Sequence, residues 1–329
     1  MGPDVRLLAV VPGPVHHGVV QHGLRVAALL SGLGTDVTVT RSLDTPWAVP
    51  DLTHVQFTDV LFGADIGAAA DAFVTWSRTA ARPLVVTVHD VPDSDSDAAR
   101  DARRRDGYRR VLAAADAVIV SAAHEAVGAV GLAPGLVPFL VPLPVERLAA
   151  PGPSPAWTDL PSVGVLGFVY PAKGHDSVLS AVSQLPGGGV RVVAIGDVSP
   201  GHEPLLAGLR RQARDLEVEL LVTGPLLEAD LHAAVRATTV PVAAYRTTGA
   251  SASIATWLGC GRRPVVRTGR HTREIEARQP GSLLLYDDDD LADGLARALA
   301  DPASTWPDVL PPRPAVAEAH LEVYRSCLA

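Results

Sequence analysis

The chain has 329 residues, a formal net charge of −8 at pH 7 and a hydrophobic content of 47%. Its length suits two domains of about 150 residues, each able to bury a core. The negative charge argues against a nucleic-acid partner, because non-specific binding needs a net basic surface. The two cysteines, Cys260 and Cys327, are too few for a disulfide framework, so we expect a cytoplasmic protein.

The apolar segments are too short to indicate a membrane span. The first residues, MGPDVRLLAVVPGP, are interrupted by Pro12 and Pro14 too early for a signal peptide. No run of about 20 apolar residues occurs, so the sequence predicts no transmembrane segment. Peripheral contact with a membrane stays open, and nothing in the sequence indicates an oligomeric state.

In the first half, short apolar runs alternate with helical stretches. The first run covers residues 5–11, and the helical pattern after it ends near Gly32 and Gly34. Strands that alternate with helices are typical of a parallel, doubly wound α/β sheet. The further strands predicted in this half cover residues 36–40, 53–57, 83–90 and 116–121.

A proline-rich stretch without periodicity, residues 149–161, predicts a linker. It separates an N-terminal domain, 1–148, from a C-terminal domain, 162–310, and an amphipathic helix is expected within 311–329. We therefore predict two tandem Rossmann-like domains facing across a cleft, with ligands beyond the carboxyl ends of the strands. The strands predicted in the second domain cover residues 162–168, 190–196, 218–224, 240–245, 263–269 and 282–287.

Several motifs, taken in order, resemble those of one enzyme family. GVLGFVYPAKGHDSVLSAV resembles its strand, Lys-Gly loop and helix, and LLVTGPLLEADLHAAV resembles its TG loop and helix. LGCGRRPVVRTGRHTREI resembles the helix and Gly-x-Pro-Val-Val strand, and LVVTVHDVPD resembles a strand that ends in a histidine. Across most of its length the chain thus resembles glycosyltransferase family 4 (group 1). This resemblance implies the GT-B fold, with the C-terminal helix packing back toward the N-terminal domain.

The resemblance also implies an activity. It indicates a retaining glycosyltransferase of the EC 2.4 class that moves a hexosyl or related sugar without a metal. The co-substrate would be a nucleoside diphosphate sugar bound by the C-terminal domain, and no cofactor is expected. The acceptor, bound by the N-terminal domain, would be a small molecule, a glycan or a lipid-linked molecule.

Lys173 is the only lysine among the 28 lysine and arginine residues of the chain. It ends a strand-to-helix loop, and Gly174 after it lets the backbone approach an anion closely. An ammonium is a compact point charge that a guanidinium does not replace. The resemblance implies that Lys173 contacts the leaving diphosphate together with helix N-terminal amides. The alternative is a solvated loop lysine.

Histidines mark two further candidate positions. His89 follows a predicted strand, and the resemblance implies that it is catalytic and faces the donor sugar; the alternative is a core histidine held by Asp90. His17 and Gly18 lie at a predicted helix start, where amides could meet phosphate or acceptor. The histidines of this loop also suggest zinc, but no Cys, Asp or Glu accompanies them, so we predict no metal site. Exposed histidines are the alternative.

The segment YRTTGASASIATWLGCGRRPVV departs from the family pattern. The family has two glutamates separated by seven residues here, whereas this segment contains no carboxylate, and GRRPVV is one residue longer than Gly-x-Pro-Val. Gly249, Ser251 and Ser253 could instead offer amides and hydroxyls to a diphosphate at a helix start, or a serine could merely cap the helix. For the nucleoside, the resemblance and the position of the lost glutamate indicate Gly224, Pro225, Leu226 and Thr256.

Three other polar motifs could indicate binding sites, but the sequence does not favour these interpretations. Residues 93–97 (DSDSD) and 287–290 (DDDD) resemble the metal-binding Asp-x-Asp of GT-A enzymes, but solvated acidic loops are favoured. Residues 100–110 could attract an anionic acceptor or lipid, yet a helix face with i,i+4 Asp–Arg pairs fits better. No G-x-G-x-x-G follows the first strand, which argues against an NAD enzyme.

The missing glutamates leave a second hypothesis open. The chain could be a catalytically silent GT-B homologue that binds or activates a partner enzyme.

Overall fold

The computed structural model describes residues 5–15, 17–43, 50–92, 98–145, 152–245, 250–287, 290–307 and 314–329. The chain divides into two compact units. The first contains Met1–Pro144 together with Pro314–Ala329, and the second contains Val145–Arg313. Each unit has one six-stranded sheet in which all described strand pairs are parallel.

The sheet of the first unit has the strand order β2-β1-β3-β4-β5-β6. All six residues of β3 are buried, as expected for a central strand that helices cover on both faces. The strands are β1 (Arg6–Val10), β2 (Asp36–Thr40), β3 (Leu52–Phe57), β4 (Leu84–Val88), β5 (Ala117–Val120) and β6 (Phe139–Leu140), and the helices are α1 (Gly18–Gly32), α2 (Asp59–Phe62), α3 (Ile66–Ser77), α4 (Ala98–Ala114) and α5 (Ala123–Leu132).

The sheet of the second unit has the order β12-β11-β10-β7-β8-β9. Its central strands are short apolar runs whose side chains are buried along the whole strand. The strands are β7 (Ser162–Leu166), β8 (Arg191–Ile195), β9 (Leu220–Val222), β10 (Val240–Ala243), β11 (Val265–Arg267) and β12 (Leu284–Tyr286), and the helices are α6 (His175–Ser183), α7 (Glu203–Asp215), α8 (Glu228–Ala237), α9 (Ala252–Gly259), α10 (Arg270–Arg278) and α11 (Leu291–Ala300).

The C-terminal helix α12 (Val316–Leu328) belongs to the first unit, as the sequence resemblance implied. It packs against α1, and Val323 and Tyr324 join Leu7 and Leu30 in one buried apolar cluster. The first unit is therefore built from two separate stretches of sequence.

The predicted fold class, α/β with two Rossmann-like units, is confirmed. Each predicted strand corresponds to an observed one, but most observed strands are shorter, since the apolar runs continue into the loops that follow. Strand β6 was not predicted, because a strand of two residues has no periodicity to detect. Within the described residues, no helix is long and apolar enough to cross a bilayer.

The strand order of the second unit has a switch point between β7 and β10. The chain runs from β7 outward through β8 to β9, and then returns to place β10 on the other side of β7. The loops after β7 and β10 therefore lead to opposite faces of the sheet and leave a crevice at the carboxyl ends of these strands. In doubly wound sheets ligands bind in this crevice.

Candidate active site

Lys173 lies at the switch point of the second unit. It ends a short 3-10 helix, Pro171–Lys173, in the loop between β7 and α6, and its side chain is buried. Its ammonium donates hydrogen bonds to the carbonyl of Leu166 (2.8 Å), to Tyr245 Oη (2.7 Å) and to Ser253 Oγ (2.7 Å). The loops after β7 and β10 and the start of α9 thus meet at one nitrogen atom.

The positive charge of Lys173 has no carboxylate partner among the described residues. Its three hydrogen-bond partners are a backbone carbonyl, a phenol and an alcohol. An ammonium removed from water without a counter-ion is costly, by several kcal/mol in order of magnitude. Such a site is therefore well suited to an anionic ligand.

Tyr245 follows β10, and its hydroxyl is the centre of the cluster. It accepts from Lys173, shares a hydrogen bond with Ser253, and accepts from Ser251 Oγ at 3.0 Å. Burial raises the pKa of the phenol, but the Lys173 charge and these hydrogen bonds outweigh burial, so the pKa of Tyr245 is lowered. The cluster thus favours negative charge on this oxygen.

Glycines let the surrounding loops approach one another. Gly167 follows β7 with φ +106°, and a Cβ there would lie 2.8 Å from Lys173 Nζ. Gly174 has φ +76°, and a Cβ there would lie only 2.1 Å from the carbonyl oxygen of Ala244. Side chains at these two positions would collide with the cluster or with the backbone after β10. The Lys-Gly pair of the sequence is thus explained by packing as well as by chemistry.

The serines predicted at the start of α9 differ in what they contact. Ser251 is the N-cap residue, and its Oγ accepts from the amide of Ile254 at 3.3 Å. Ser253, in the first turn, contacts Lys173 and Tyr245. Ser251 therefore caps the helix, which was one of the two alternatives, whereas contact of Ser253 with a diphosphate stays a prediction. Gly249, the third predicted position, lies outside the described residues.

The predicted nucleoside residues lie further along the same unit. Gly224, Pro225 and Leu226 form the loop after β9, with Gly224 at φ +73°. Leu226 packs against a buried cluster that includes Trp257, the neighbour of Thr256 on α9. The hydroxyl of Thr256 donates to the carbonyl of Ala252, which lies in the same helix. These residues thus share a region of the second unit, but β8 separates β9 from the strand that leads to Lys173.

Arg262, within the lengthened Gly-x-Pro-Val motif, supports the fold of the second unit. Arg262 is almost fully buried, and burial lowers its pKa to about 10. Its guanidinium closes the carboxyl end of α8 and stacks 4.1 Å from the ring centre of Trp306. Its acceptors are the carbonyls of Val235 (2.9 Å), Thr238 (2.6 Å) and Thr239 (3.0 Å) and the hydroxyl of Thr305 (2.9 Å).

His89 lies in the first unit, at the carboxyl end of β4, and is buried. Its Nε2–H donates to Gln56 Oε1 at 2.9 Å, so the partner of its ring is Gln56 and not Asp90. Burial and the nearby charge of His17 lower the pKa of His89 to about 4. The imidazole is therefore neutral at pH 7 and can exchange hydrogen bonds but not act as a cation.

Gln56 connects His89 to further buried histidines. Gln56 Nε2 lies 3.3 Å from His54 Nε2, and His54 Nδ1 lies 2.7 Å from the hydroxyl of Tyr324 on α12. The ring of His22 packs edge-on against His89 with 5.2 Å between centroids. Sequence reasoning missed this network, although the polar residues inside the buried run THVQF were a signal.

His17 and Gly18 stand at the start of α1, as predicted. His17 is the N-cap residue, and its Nδ1 accepts from the amide of Val19 at 3.2 Å. A Cβ at Gly18 would meet no atom within 4 Å, so the helix start is open. His17 thus caps a helix in this structure, and its contact with phosphate or acceptor stays a prediction.

The acidic and basic motifs are only partly described. Residues 93–97 and 288–289 lie outside the described residues. On the arginine-rich helix α4, Arg109 pairs with Asp106 three residues before it, at 2.9 Å, and Arg110 pairs with Asp71 on α3. The i,i+4 pattern expected from the sequence is thus replaced here by an i,i+3 pair and a pair between helices.

Comparison with known proteins identifies similar folds. Residues 160–301 match the family model described as "Glycosyl transferases group 1". No curated protein matches the chain in sequence. The sucrose-phosphate synthase of Thermosynechococcus elongatus is 16% identical, with a TM-score of 0.69, over 98% of this chain and 95% of that one.

Two further solved structures show the same likeness. Anabaena HepE in complex with UDP and glucose is 14% identical, with a TM-score of 0.68, over 99% of this chain and 96% of HepE. The apo form of the lipopolysaccharide outer core galactosyltransferase WaaB is 12% identical, with a TM-score of 0.60, over 98% and 99% of the two chains. The resemblance to group 1 glycosyltransferases is therefore confirmed, and the chain has their two-domain GT-B fold.

Proposed function

We propose that this chain is a glycosyltransferase that takes a sugar from a nucleoside diphosphate sugar and transfers it to an acceptor hydroxyl. The observation that carries the proposal is the buried ammonium of Lys173, which lies at the switch point of a Rossmann-like unit with no carboxylate partner among the described residues. The family model matched by residues 160–301 and the UDP and glucose in the HepE structure support the same ligand class.

The chemistry required of the second unit is stabilisation of a leaving group. When the bond between sugar C1 and the phosphate oxygen breaks, its electron pair stays on the diphosphate. Lys173 and the amides in the first turn of α9 would face this charge, and preorganised dipoles and cations of this kind lower barriers by several kcal/mol. Because these groups supply the positive charge, we propose that transfer needs no divalent metal.

Retention of configuration is part of the proposal. The acceptor oxygen would bond to C1 on the face that the diphosphate leaves, and the departing phosphate oxygen would take the acceptor proton. No side-chain nucleophile is required for this course. In the first unit we propose that neutral His89 binds a sugar hydroxyl, since its ring can exchange hydrogen bonds at pH 7. The acceptor would be a small molecule, a glycan or a lipid-linked molecule.

Thermal unfolding with UDP, GDP, ADP and dTDP tests the ligand class. A ligand at 100 times its Kd adds about 2.7 kcal/mol to the free energy of unfolding. We expect a rise in Tm with one nucleotide, UDP being the first choice, and loss of that rise in Lys173→Met. Arg210→Met, which removes an exposed cation from α7 of the same unit, should keep the full response. Absence of any shift with all four nucleotides would contradict the proposal.

Transfer itself needs a second measurement, since a silent homologue could also bind the nucleotide. The absence of a carboxylate between residues 245 and 266 is the observation that favours this second candidate. Hydrolysis of the donor to free sugar, followed by NMR of the first anomer formed, would separate the two. Activity that persists in EDTA supports transfer without a metal. Release of the α-anomer from an α-linked donor supports retention of configuration. Binding without any hydrolysis or transfer supports the silent homologue.

A further inference from the structure

The hydrogen bonds of Lys173 limit how a phosphate can approach. An ammonium has three N–H groups, and in this structure Leu166, Tyr245 and Ser253 accept all three. A phosphate oxygen that binds Lys173 must therefore replace one of these acceptors. Which acceptor is replaced determines on which side of Lys173 Nζ the phosphate oxygen binds.

Two of the three acceptors are fixed. The carbonyl of Leu166 is at the end of β7, where strand pairing with Ile195 holds the backbone. Tyr245 is buried, and its hydroxyl is held by Ser251 as well as by Lys173. Ser253, in contrast, is only partly buried and lies in the first turn of α9. A rotation about its χ1 would remove its hydroxyl from both Lys173 and Tyr245 without moving the backbone.

The ring of Tyr245 adds a second contact to the same cation. Lys173 Nζ lies 4.6 Å from the centre of the Tyr245 ring, within the range of a cation–π interaction. The ring and the hydroxyl together hold the ammonium on one side.

We propose that Tyr245 is a positioning residue for the diphosphate: it holds the Lys173 ammonium so that the hydrogen bond now made to Ser253 passes to a phosphate oxygen. The inference rests on the proposed function and deepens it. A phenol can accept from Lys173 without supplying the full counter-charge of a carboxylate.

Nucleotide binding by matched variants tests this role. Tyr245→Phe removes the hydroxyl but keeps the ring, which also lines a pocket of about 390 Å³ in the second unit. Tyr286→Phe is the control, because it removes the hydroxyl of another buried tyrosine that lines the same pocket but is not among the three acceptors of Lys173. Binding of UDP and UMP is measured for each variant by calorimetry, or of GDP and GMP if the wild type prefers guanine.

The ratio of the two affinities is the decisive quantity. Loss of one charge-assisted hydrogen bond should weaken diphosphate binding about tenfold in Tyr245→Phe and leave monophosphate binding nearly unchanged. General damage to the unit would weaken both nucleotides together. The inference would be overturned if Tyr245→Phe kept the wild-type ratio of diphosphate to monophosphate affinity while Lys173→Met lowered it. The proposed function would then remain intact.

Because Lys173 is the only lysine, its own signal can be observed directly. Protein grown with lysine labelled at Cε and Nζ gives one labelled side chain, so its NMR resonances need no assignment. We expect Tyr245→Phe to move the ε-CH₂ resonance toward that of free lysine and Tyr286→Phe to leave it in place. An unmoved resonance in Tyr245→Phe would overturn the inference. If no nucleotide shifts the wild-type resonance, the proposed function fails, and the positioning role fails with it.

Discussion

Gly167 and Lys173 are so close that no side chain fits between them. A Cβ at Gly167 would lie 2.8 Å from Nζ and 3.2 Å from Cε of the lysine. Gly167, directly after β7, therefore limits where the ammonium of Lys173 can lie.

We predict that Gly167→Ala weakens nucleoside diphosphate binding by displacing this ammonium. It should also destabilise the protein by about 1–3 kcal/mol, because φ is +106° and L-residues are strained there. Gly187→Ala is the matched control, since Gly187 has φ +89° but open space around its Cβ position. Both variants should lose stability in urea unfolding, and only Gly167→Ala should lose affinity in calorimetry. Equal affinities would show that crowding of Lys173 has no consequence.

The two serines of α9 should have separable effects. Ser251→Ala removes a helix N-cap and should cost about 1 kcal/mol of unfolding free energy. Ser253→Ala leaves the cap in place and removes the acceptor that a phosphate oxygen is proposed to replace at Lys173, so diphosphate affinity should stay the same or rise by up to about threefold, with little loss of stability. Urea unfolding and calorimetry on both variants check this. A clear fall of diphosphate affinity in Ser253→Ala would contradict the transfer of its Lys173 hydrogen bond to a phosphate oxygen, and an unchanged unfolding free energy in Ser251→Ala would contradict its role as the N-cap.

Arg262 should matter for stability and not for ligand binding. Arg262→Met leaves several buried carbonyls without a donor, and we expect a loss of about 3 kcal/mol or more. Arg263→Met is the control, because the neighbouring arginine is less buried and donates to the carbonyl of Ser304 at 3.1 Å. Thermal and urea unfolding measure the difference. Similar losses in both variants would exclude a special role for Arg262.

The buried histidines of the first unit should make the protein sensitive to acid. Burial lowers the pKa of His320 to about 4 from an ordinary 6.5, and burial is also the main cause of the lowered pKa of His89, about 4. Between pH 6.5 and 4 these residues bind protons when unfolded but not when folded. The unfolding free energy should therefore fall with falling pH, by about 1.4 kcal/mol per pH unit for each histidine.

His320→Asn tests this dependence. Its amide can still donate to the carbonyl of Val316, the partner of His320 Nδ1 at 2.7 Å, but it does not titrate. Urea unfolding from pH 7.5 to 4.5 should give a shallower decline below pH 6.5 for the variant, and parallel curves above it. The same slope for both proteins below pH 6.5 would contradict the prediction.

The sequence was sufficient for the parts of the fold that depend on periodicity. Apolar runs predicted eleven of the twelve strands found in the described residues, since each buried run is bounded by glycine, proline or helical spacing. Lys173 could be singled out because an arginine-rich chain keeps one lysine. The motif around it then placed that lysine at a strand-to-helix loop.

The sequence did not reveal the residues that support the site. Tyr245 ends the apolar run VPVAAY and therefore resembles a core residue. Its contact with Lys173 could not be predicted, because the two residues are 72 positions apart in the sequence. Arg262 resembled an insertion, whereas it caps a helix that ends 25 positions earlier. Both roles depend on which strands are neighbours in the sheet, and strand order is not encoded in local spacing.

The two-part construction of the first unit has a consequence for how the chain folds during synthesis. Strands β1 to β6 leave the ribosome first, yet the surface formed by Leu7, Val26 and Leu30 stays uncovered until α12 has been made. All of the second unit emerges in between, as one continuous stretch. The half that is translated later can therefore finish folding earlier, and a nascent chain that stops before residue 314 would present an apolar surface to chaperones and proteases.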